Sequence, residues 1–120
     1  MTAPNIAGLT TVTGKSVGVA VGTSATDLVA NAASSNKVFK INSVVISNVD
    51  GTNVATVEVI LQKAGSNNFH LAKTISVPVN ATLVVVSKDT QLYLEENDKI
   101  QVIASAASDL QAICSYEEIS

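Results

Sequence analysis

Apolar residues recur at every second position through most of the chain after residue 15. Val17, Val19 and Val21 open this pattern, with small residues between them. A period of two is typical of strands that bury one face, and no segment carries a helical period of convincing length. The sequence therefore predicts eight or nine short strands, at 15–21, 26–30, 37–48, 56–62, 69–77, 83–86, 92–94, 100–104 and 110–116.

Several of these runs carry local signals. In 37–48 the buried parity changes after Ile41, which predicts a bulge near Asn42–Ser43. Asn48–Asn53 contains an Asp-Gly pair and is predicted to be a hairpin loop, because Asp-Gly favours positive φ. Leu83–Val86 is wholly apolar, so we expect it to be covered on both faces.

The strand 69–77 is expected to place its apolar residues on one face, and a proline ends it because proline donates no ladder hydrogen bond. These apolar residues are Phe69, Leu71, Ile75 and Val77. The whole pattern favours an all-β fold, a single antiparallel β-sandwich or jelly-roll-like domain of eight or nine strands.

Residues 1–14 carry no charged side chain and keep no period. They predict an extended N-terminal arm, followed by one sandwich domain at 15–120. The arm is interpreted either as an unattached chain end or as a tether onto a neighbouring subunit. In the second case Ile6, Leu9 and Val12, the larger apolar residues of the arm, are the candidate subunit contacts.

Composition narrows the function classes. About a third of the 120 residues are Val, Ile or Thr, the net charge is −3, and all seven basic residues are scattered lysines. Phosphate recognition needs clustered cations, so no nucleic-acid partner is expected. The longest apolar cluster is far shorter than the roughly 20 residues of a spanning helix, and Met1–Asn5 has no signal-peptide character. We expect neither membrane insertion nor export by a standard signal.

The inventory of reactive side chains predicts that the protein is not an enzyme and holds no cofactor or metal. Cys114 lies in an alternating apolar run, where cysteine usually packs as a small buried hydrophobe. His70 falls on the polar parity of its strand, and one His with one Cys cannot supply the three or four ligands of zinc. No Gly-x-Ser-x-Gly elbow is present, so a hydrolase is disfavoured.

The acidic pairs Glu95-Glu96 and Glu117-Glu118 are adjacent residues. Neighbours on a strand point to opposite faces, so neither pair forms a two-carboxylate catalytic site alone. The turn that contains Glu95, Glu96 and Asp98 offers oxygens to Ca²⁺ but lacks the ligand spacing of a dedicated loop. A solvated turn is the favoured interpretation.

Several stretches resemble the short single-domain virion proteins of marine T4-like tailed phages, the cyanophages among them. The similarity covers roughly residues 14–120 and is carried by Gly14–Val21, Ser35–Ser43, Asn48–Asn53, Thr74–Pro78, Ala81–Thr90 and Cys114–Ile119. The resemblance implies a small β-sandwich structural protein of the virion, made in the host cytoplasm. It carries no catalytic residues.

Two functions follow from this resemblance. The leading one is a capsid decoration (cement) protein in many symmetric copies, with the major capsid, neck or tail proteins as partners. A homo-oligomer is expected, with a trimer favoured. The alternative is a neck, tail or fibre-associated domain that binds a receptor or a glycan through loops such as Asn48–Asn53 and Gly65–Asn68.

Overall fold

The computed structural model describes residues 11–120. These residues form nine strands and one 3₁₀ turn, Lys88–Thr90. The strands are β1 (Val12–Val21), β2 (Thr26–Ala30), β3 (Val38–Asn48), β4 (Ala55–Lys63), β5 (Asn67–Val77), β6 (Thr82–Val86), β7 (Leu92–Leu94), β8 (Lys99–Ala104) and β9 (Leu110–Ile119).

The strands form two antiparallel sheets. Sheet A has the order β1-β9-β3-β6, with β7 also paired to β3, and sheet B has the order β2-β8-β4-β5. The predicted all-β antiparallel sandwich of eight or nine strands is confirmed. β1 begins at Val12, so residues 12–14, which the sequence assigned to the arm, belong to sheet A.

The core lies between the sheets and is built almost entirely from aliphatic side chains. In β8, buried Ile100, Val102 and Ala104 alternate with partly exposed residues. The largest fully buried apolar side chains are Ile41, Ile46, Leu94, Ile100, Leu110, Val21, Val44, Val57, Val59, Val77 and Val102. Burial of such side chains stabilises a fold by about 25 cal/mol per Å² of apolar surface, which explains the abundance of Val and Ile.

Most connections cross from one sheet to the other. Within residues 11–120, β4 and β5 are the only consecutive strands joined as a hairpin. The hairpin prediction for Asn48–Asn53 is therefore wrong, because this loop carries the chain from β3 in sheet A to β4 in sheet B. Gly51 does not adopt positive φ either. Instead, the Asp50 carboxylate accepts hydrogen bonds from the backbone N–H and the hydroxyl of Thr52, both at 2.8 Å.

Buried asparagines stabilise two of these connections between the sheets. Asn48, which is 3% exposed, donates from Nδ2 to the carbonyl oxygens of Asn53 (3.0 Å) and Val77 (2.9 Å). Its Oδ1 accepts from the N–H of Asp50 at 2.9 Å. The amide thus joins the end of β3 to the end of β5, across the two sheets.

Asn31 has the same role at the crossing from β2 to β3. Its Nδ2 donates to the carbonyl oxygens of Lys37 (2.8 Å) and Leu94 (3.1 Å), and its Oδ1 accepts from the hydroxyl of Ser35 at 2.6 Å. Within residues 11–120 no buried side-chain nitrogen or oxygen lacks a hydrogen-bond partner. Burial of these polar groups is therefore compensated.

The local strand predictions have mixed outcomes. The bulge near Asn42–Ser43 is confirmed, since the register between β3 and β9 shifts between Ile41 and Ser43. The expectation that Leu83–Val86 is covered on both faces is wrong: Val84 is 57% exposed because it lies on the outer surface of sheet A.

The expected single apolar face of β5 is also wrong. Phe69 is 59% and Ile75 is 40% exposed, and only Val77 of this strand is fully buried. Two register shifts separate β5 from a regular pairing with β4, and Thr74 adopts a φ of 53°. β5 lies at the edge of sheet B, so its side chains receive cover from one neighbouring strand.

The role of Asn48 is testable. We expect Asn48→Ala to lower the free energy of unfolding by about 2 kcal/mol, because it leaves the buried carbonyl of Val77 without a donor. Asn68→Ala is the matched control: Asn68 is exposed and bonds only the side chain of Gln62, so its loss should cost less than about 0.5 kcal/mol. Urea denaturation of both variants measures the difference, and equal losses would contradict the assigned role.

Candidate functional site

The predicted subunit contacts are only partly visible. Ile6 and Leu9 lie outside the described residues, and their role stays a prediction. Val12 begins β1, pairs with Ile119 of β9 and is 49% exposed. It is therefore accessible to a neighbouring molecule.

The outer surface of sheet A is neutral over three consecutive cross-strand rows, which we call the neutral face. Its central row runs in register through Gly18, Ile113, Val45 and Val84. Ile113 is 45% exposed. The flanking rows contain Ser16, Ser115 and Ser43 on one side and Ala20, Gln111, Ser47 and Thr82 on the other. None of these side chains carries a charge, so the face presents apolar and hydroxyl groups to solvent.

A shallow groove of about 330 Å³ lies on this face between β1 and β9. It is lined by Gly18, Val19, Ala20, Gln111, Ala112 and Ile113. The groove exists because Gly18 and Ala20 carry little or no side chain beside the larger Ile113. A Cβ added at Gly18 would meet its nearest atoms at 3.7 and 3.8 Å, which is ordinary contact, so the groove has room for additional atoms.

Among the strands formed by residues 11–120, β1 is an outer strand of sheet A, and its pairing with β9 shows which of its backbone groups point away from the sheet. Thr11 and Ser120 exchange backbone hydrogen bonds, each 2.9 Å long. The register from Val12 to Val21 against β9 has no shift. Because hydrogen-bonded pairs alternate along an antiparallel ladder, the odd residues of β1 bond β9 and the even ones direct N–H and C=O away from the sheet. We call this row, from Val12 to Ala20, the β1 edge.

In the turn that the sequence offered as a calcium site, the carboxylate of Asp98 is bound by Lys63. Asp98, which is 3% exposed, accepts from Lys63 Nζ at 2.6 Å and from the N–H groups of Ala64 (3.0 Å) and Glu95 (2.9 Å). Lys63 also contacts Glu95 Oε1 at 2.8 Å. These hydrogen bonds raise the pKa of Lys63 above its usual value. The cluster ties the β4–β5 hairpin to the β7–β8 turn and leaves the Asp98 carboxylate fully engaged.

His70 lies on the outward parity of β5, as the sequence predicted. Its Nε2 is 3.2 Å from Glu58 Oε1, which also contacts Lys73 Nζ at 3.3 Å. Both lie on the solvent side of sheet B, where such pairs contribute at most about 1 kcal/mol.

Cys114 is fully buried in the core, which confirms its predicted packing role. Burial raises the pKa of its thiol to about 12. The thiolate, the reactive form, is thus strongly disfavoured near neutral pH.

Sequence reasoning missed a pair of carboxyl groups that are distant along the chain. Asp50 and Asp109 approach each other at one end of the sandwich, where the N–H of Val49 donates to the carbonyl of Asp109 at 2.8 Å. Hydrogen bonding with Asp50, then burial, then the charge of Asp50 raise the pKa of Asp109. Donors from Asn53 and Thr52 lower the pKa of Asp50. Adjacency in sequence could not reveal this pair, because it arises only when two sheet-crossing loops meet.

Residues 11–120 contain no cluster of three or more His, Cys, Asp or Glu side chains arranged to hold a metal ion. Nor does that part of the chain contain a helix long and apolar enough to cross a membrane. The features that stand out are therefore surfaces: the neutral face, the groove and the β1 edge.

Comparison with known proteins adds one finding about the fold. No protein-family model and no curated protein matches the chain. A solved structure of Bacillus endospore appendages, described as a novel family of disulfide-linked pili, is similar over 98% of this chain and 95% of that chain, with a TM-score of 0.56 and 13% identity. At this identity the likeness establishes a shared β-sandwich fold.

The packing of Cys114 generates a prediction. We expect Cys114→Ala to lower the free energy of unfolding by about 1–2 kcal/mol, as removal of a small buried group does. The native thiol should react with a maleimide only as fast as the protein unfolds. Labelling within minutes under native conditions would contradict the buried position.

The Asp50–Asp109 pair generates a pH prediction. Because the folded pKa of Asp109 is raised, its stabilising hydrogen bond is fully present below the unfolded pKa of 3.8 and is lost as pH rises through the folded pKa. Asp109→Asn keeps a neutral donor at every pH, so it should melt above the wild type at pH 7 and at about the same temperature at pH 3. Asp89→Asn, on an exposed turn, serves as the control. A melting difference for Asp109→Asn that does not change with pH would refute the assignment.

Proposed function

We propose that this protein is a non-enzymatic structural subunit of a tailed-phage virion, and that many symmetric copies of it decorate the capsid. It acts by surface complementarity, with the major capsid protein and its own copies as partners. It is made in the host cytoplasm and ends in the particle.

The neutral face is the observation that carries the proposal. It spans four strands of sheet A with no charged side chain, although the chain contains 17 charged residues. An exposed, uncharged surface of this extent is typical of a protein–protein contact. Exposed Ile113 and Val84 supply the apolar centre, and the serine row supplies hydroxyls that can bond across an interface.

The architecture supports the same class of function. The strand orders β1-β9-β3-β6 and β2-β8-β4-β5 are compatible with a jelly roll, an architecture that viral capsid domains use among other proteins. The similar fold in an endospore appendage described as a pilus favours a multi-copy assembly here. That appendage is described as disulfide-linked, whereas the single cysteine of this chain is buried, so the contacts proposed here are non-covalent.

The second candidate is a neck, tail or fibre position in which a loop binds a receptor or a glycan. The Asn48–Asn53 loop favours it, because Asn48 and Asp50 fix the loop. The loop contains Val49, which is 51% exposed, and is followed by Val54, which is 58% exposed. A rigid loop with exposed apolar residues at its base is suited to recognition.

Copy number separates the two candidates. Cryo-electron microscopy of the parent particle, with this protein located in it, and quantitative mass spectrometry of purified particles give the position and the copies per virion. Hundreds of copies on the head support decoration, and a few to a few dozen support the neck, tail or fibre. Absence from purified particles would overturn the proposal.

The arm generates a prediction about assembly. Deletion of residues 1–10 leaves β1 intact, so we expect the melting temperature to stay nearly unchanged while incorporation into particles is lost. Deletion of residues 2–4, which keeps Ile6 and Leu9, is the matched control and should be incorporated normally. Differential scanning calorimetry and particle sedimentation give the two readouts. A large loss of thermal stability in the longer deletion would show that the arm serves folding instead.

A further inference from the structure

The outer edges of the two sheets differ in how well they are protected against pairing with another strand. Natural edges are usually protected by bulges, short length or charge. β2 has five residues and a register shift, and β5 has two register shifts. β6 and β7 have five and three residues. All four strands carry at least one such protection.

The β1 edge carries none of these protections. β1 has ten residues, pairs with β9 without a shift and contains no proline. Its one charged residue, Lys15, is an odd-numbered position whose Nζ is held by Glu118 Oε2 at 3.0 Å. Five even-numbered residues therefore direct paired N–H and C=O groups outward over a regular length. Such a row is a template for one further strand.

Apolar groups flank this edge on both faces. On the inner face Val17 and Val19 are only half-buried, because no strand formed by residues 11–120 lies beyond them in sheet A. On the outer face the groove beside Gly18 and Ile113 is open. A strand that pairs with β1 would therefore gain apolar contacts on both of its faces.

We infer that the β1 edge binds residues 1–10 of a second copy of this chain, which add a strand to sheet A; the inference rests on the proposed multi-copy function. These residues carry no charged side chain, so their binding beside the neutral face would bury no unpaired charge. Ile6 and Leu9 are three positions apart, so in an extended strand they point to opposite faces, one towards Val17 and Val19 and the other towards the groove. Ten extended residues span about 35 Å at most, the length of β1 itself.

A second copy fits better than the arm of the same chain. The arm joins β1 directly, so a return along the same β1 needs a tight reversal just before Val12. The residues there are Leu9, Thr10 and Thr11, and none of them is the Asn, Asp or Gly that two-residue hairpin turns favour. A reversal at Gly8 would leave only seven residues to pair, and these would end before Gly18 and the groove. A donated arm needs no reversal, and each copy offers both an arm and an edge, so the contact propagates from copy to copy.

Ala20→Pro tests the edge in the purified full-length protein. This substitution removes an N–H that points away from the sheet, so the ladder with β9 is kept, as edge prolines allow. Ala20→Ser keeps the N–H and is the matched control. By analytical ultracentrifugation we expect Ala20→Pro and deletion of residues 1–10 each to weaken self-association at least about tenfold, with wild-type behaviour for Ala20→Ser. The two changes combined should weaken it no further than either alone.

Cysteine trapping identifies the occupant. A tagged chain carrying Ile6→Cys or, separately, Leu9→Cys is mixed with an untagged chain carrying Ser16→Cys, Gly18→Cys or Ala20→Cys on the outer face, so that one of the two arm positions faces the trap. The wild type, with buried Cys114, is the background control. We expect a mixed disulfide between tagged and untagged chains for at least one of the three positions. Retained folding of each variant is checked by circular dichroism.

The inference would be overturned if the wild type did not self-associate, or if Ala20→Pro associated as the wild type does. It would also be overturned if Ala20→Pro lost association while the arm deletion kept it, because another strand would then occupy the β1 edge. A disulfide that forms only within a doubly substituted Ile6→Cys, Ala20→Cys chain would assign the edge to the chain's own arm. These results are independent of the proposed function. A protein located in virions without a mixed disulfide would refute the inference alone, and a mixed disulfide in a protein absent from virions would refute the virion function alone.

Discussion

The fold depends on satisfying the backbone wherever the chain passes from one sheet to the other. Six of the eight connections between described strands pass from one sheet to the other, so backbone groups in these loops need partners outside a hairpin ladder. Asn31 and Asn48 provide such partners near the two ends of β3, because each donates hydrogen bonds from one buried amide to two backbone carbonyl oxygens. Because β3 pairs with β6, β7 and β9, fixing its ends fixes the position of most of sheet A.

The charged pairs are arranged around this frame in a way that leaves the three rows of the neutral face uncharged. Lys63 binds Asp98, Lys15 and Lys37 share Glu118, and Lys73 lies beside Glu58. These pairs lie at the strand ends and on sheet B. The central rows of sheet A are thereby left to small and apolar residues, and a surface without ions can be dehydrated at low cost. This separation of the charged pairs from the uncharged rows of sheet A is consistent with a structural role for the protein.

The period of two in the sequence was sufficient to predict the strands, since alternation reports burial directly. It also located the bulge after Ile41 and the buried Cys114. It failed where burial depends on neighbours that are distant along the chain. Phe69 and Val84 are apolar yet exposed, because Phe69 lies on an edge strand with a single neighbour and Val84 lies on the outer surface of sheet A. The Asp-Gly pair suggested a hairpin, but a loop that changes sheets uses the Asp50 side chain instead. The Asp50–Asp109 pair and the neutral face exist only once the strand order is known.

The position of β9 has a consequence for how the protein is made. β9 lies between β1 and β3 in the middle of sheet A, although it comes last along the chain. During synthesis β1 and β3 therefore remain without their central partner until Leu110–Ile119 has left the ribosome. Pairings between such distant segments form slowly, and until they form the unpaired strands expose apolar faces that favour aggregation. Sheet A can therefore form only after β9 has been synthesised, and low temperature or chaperones that hold the unfinished chain should favour productive folding.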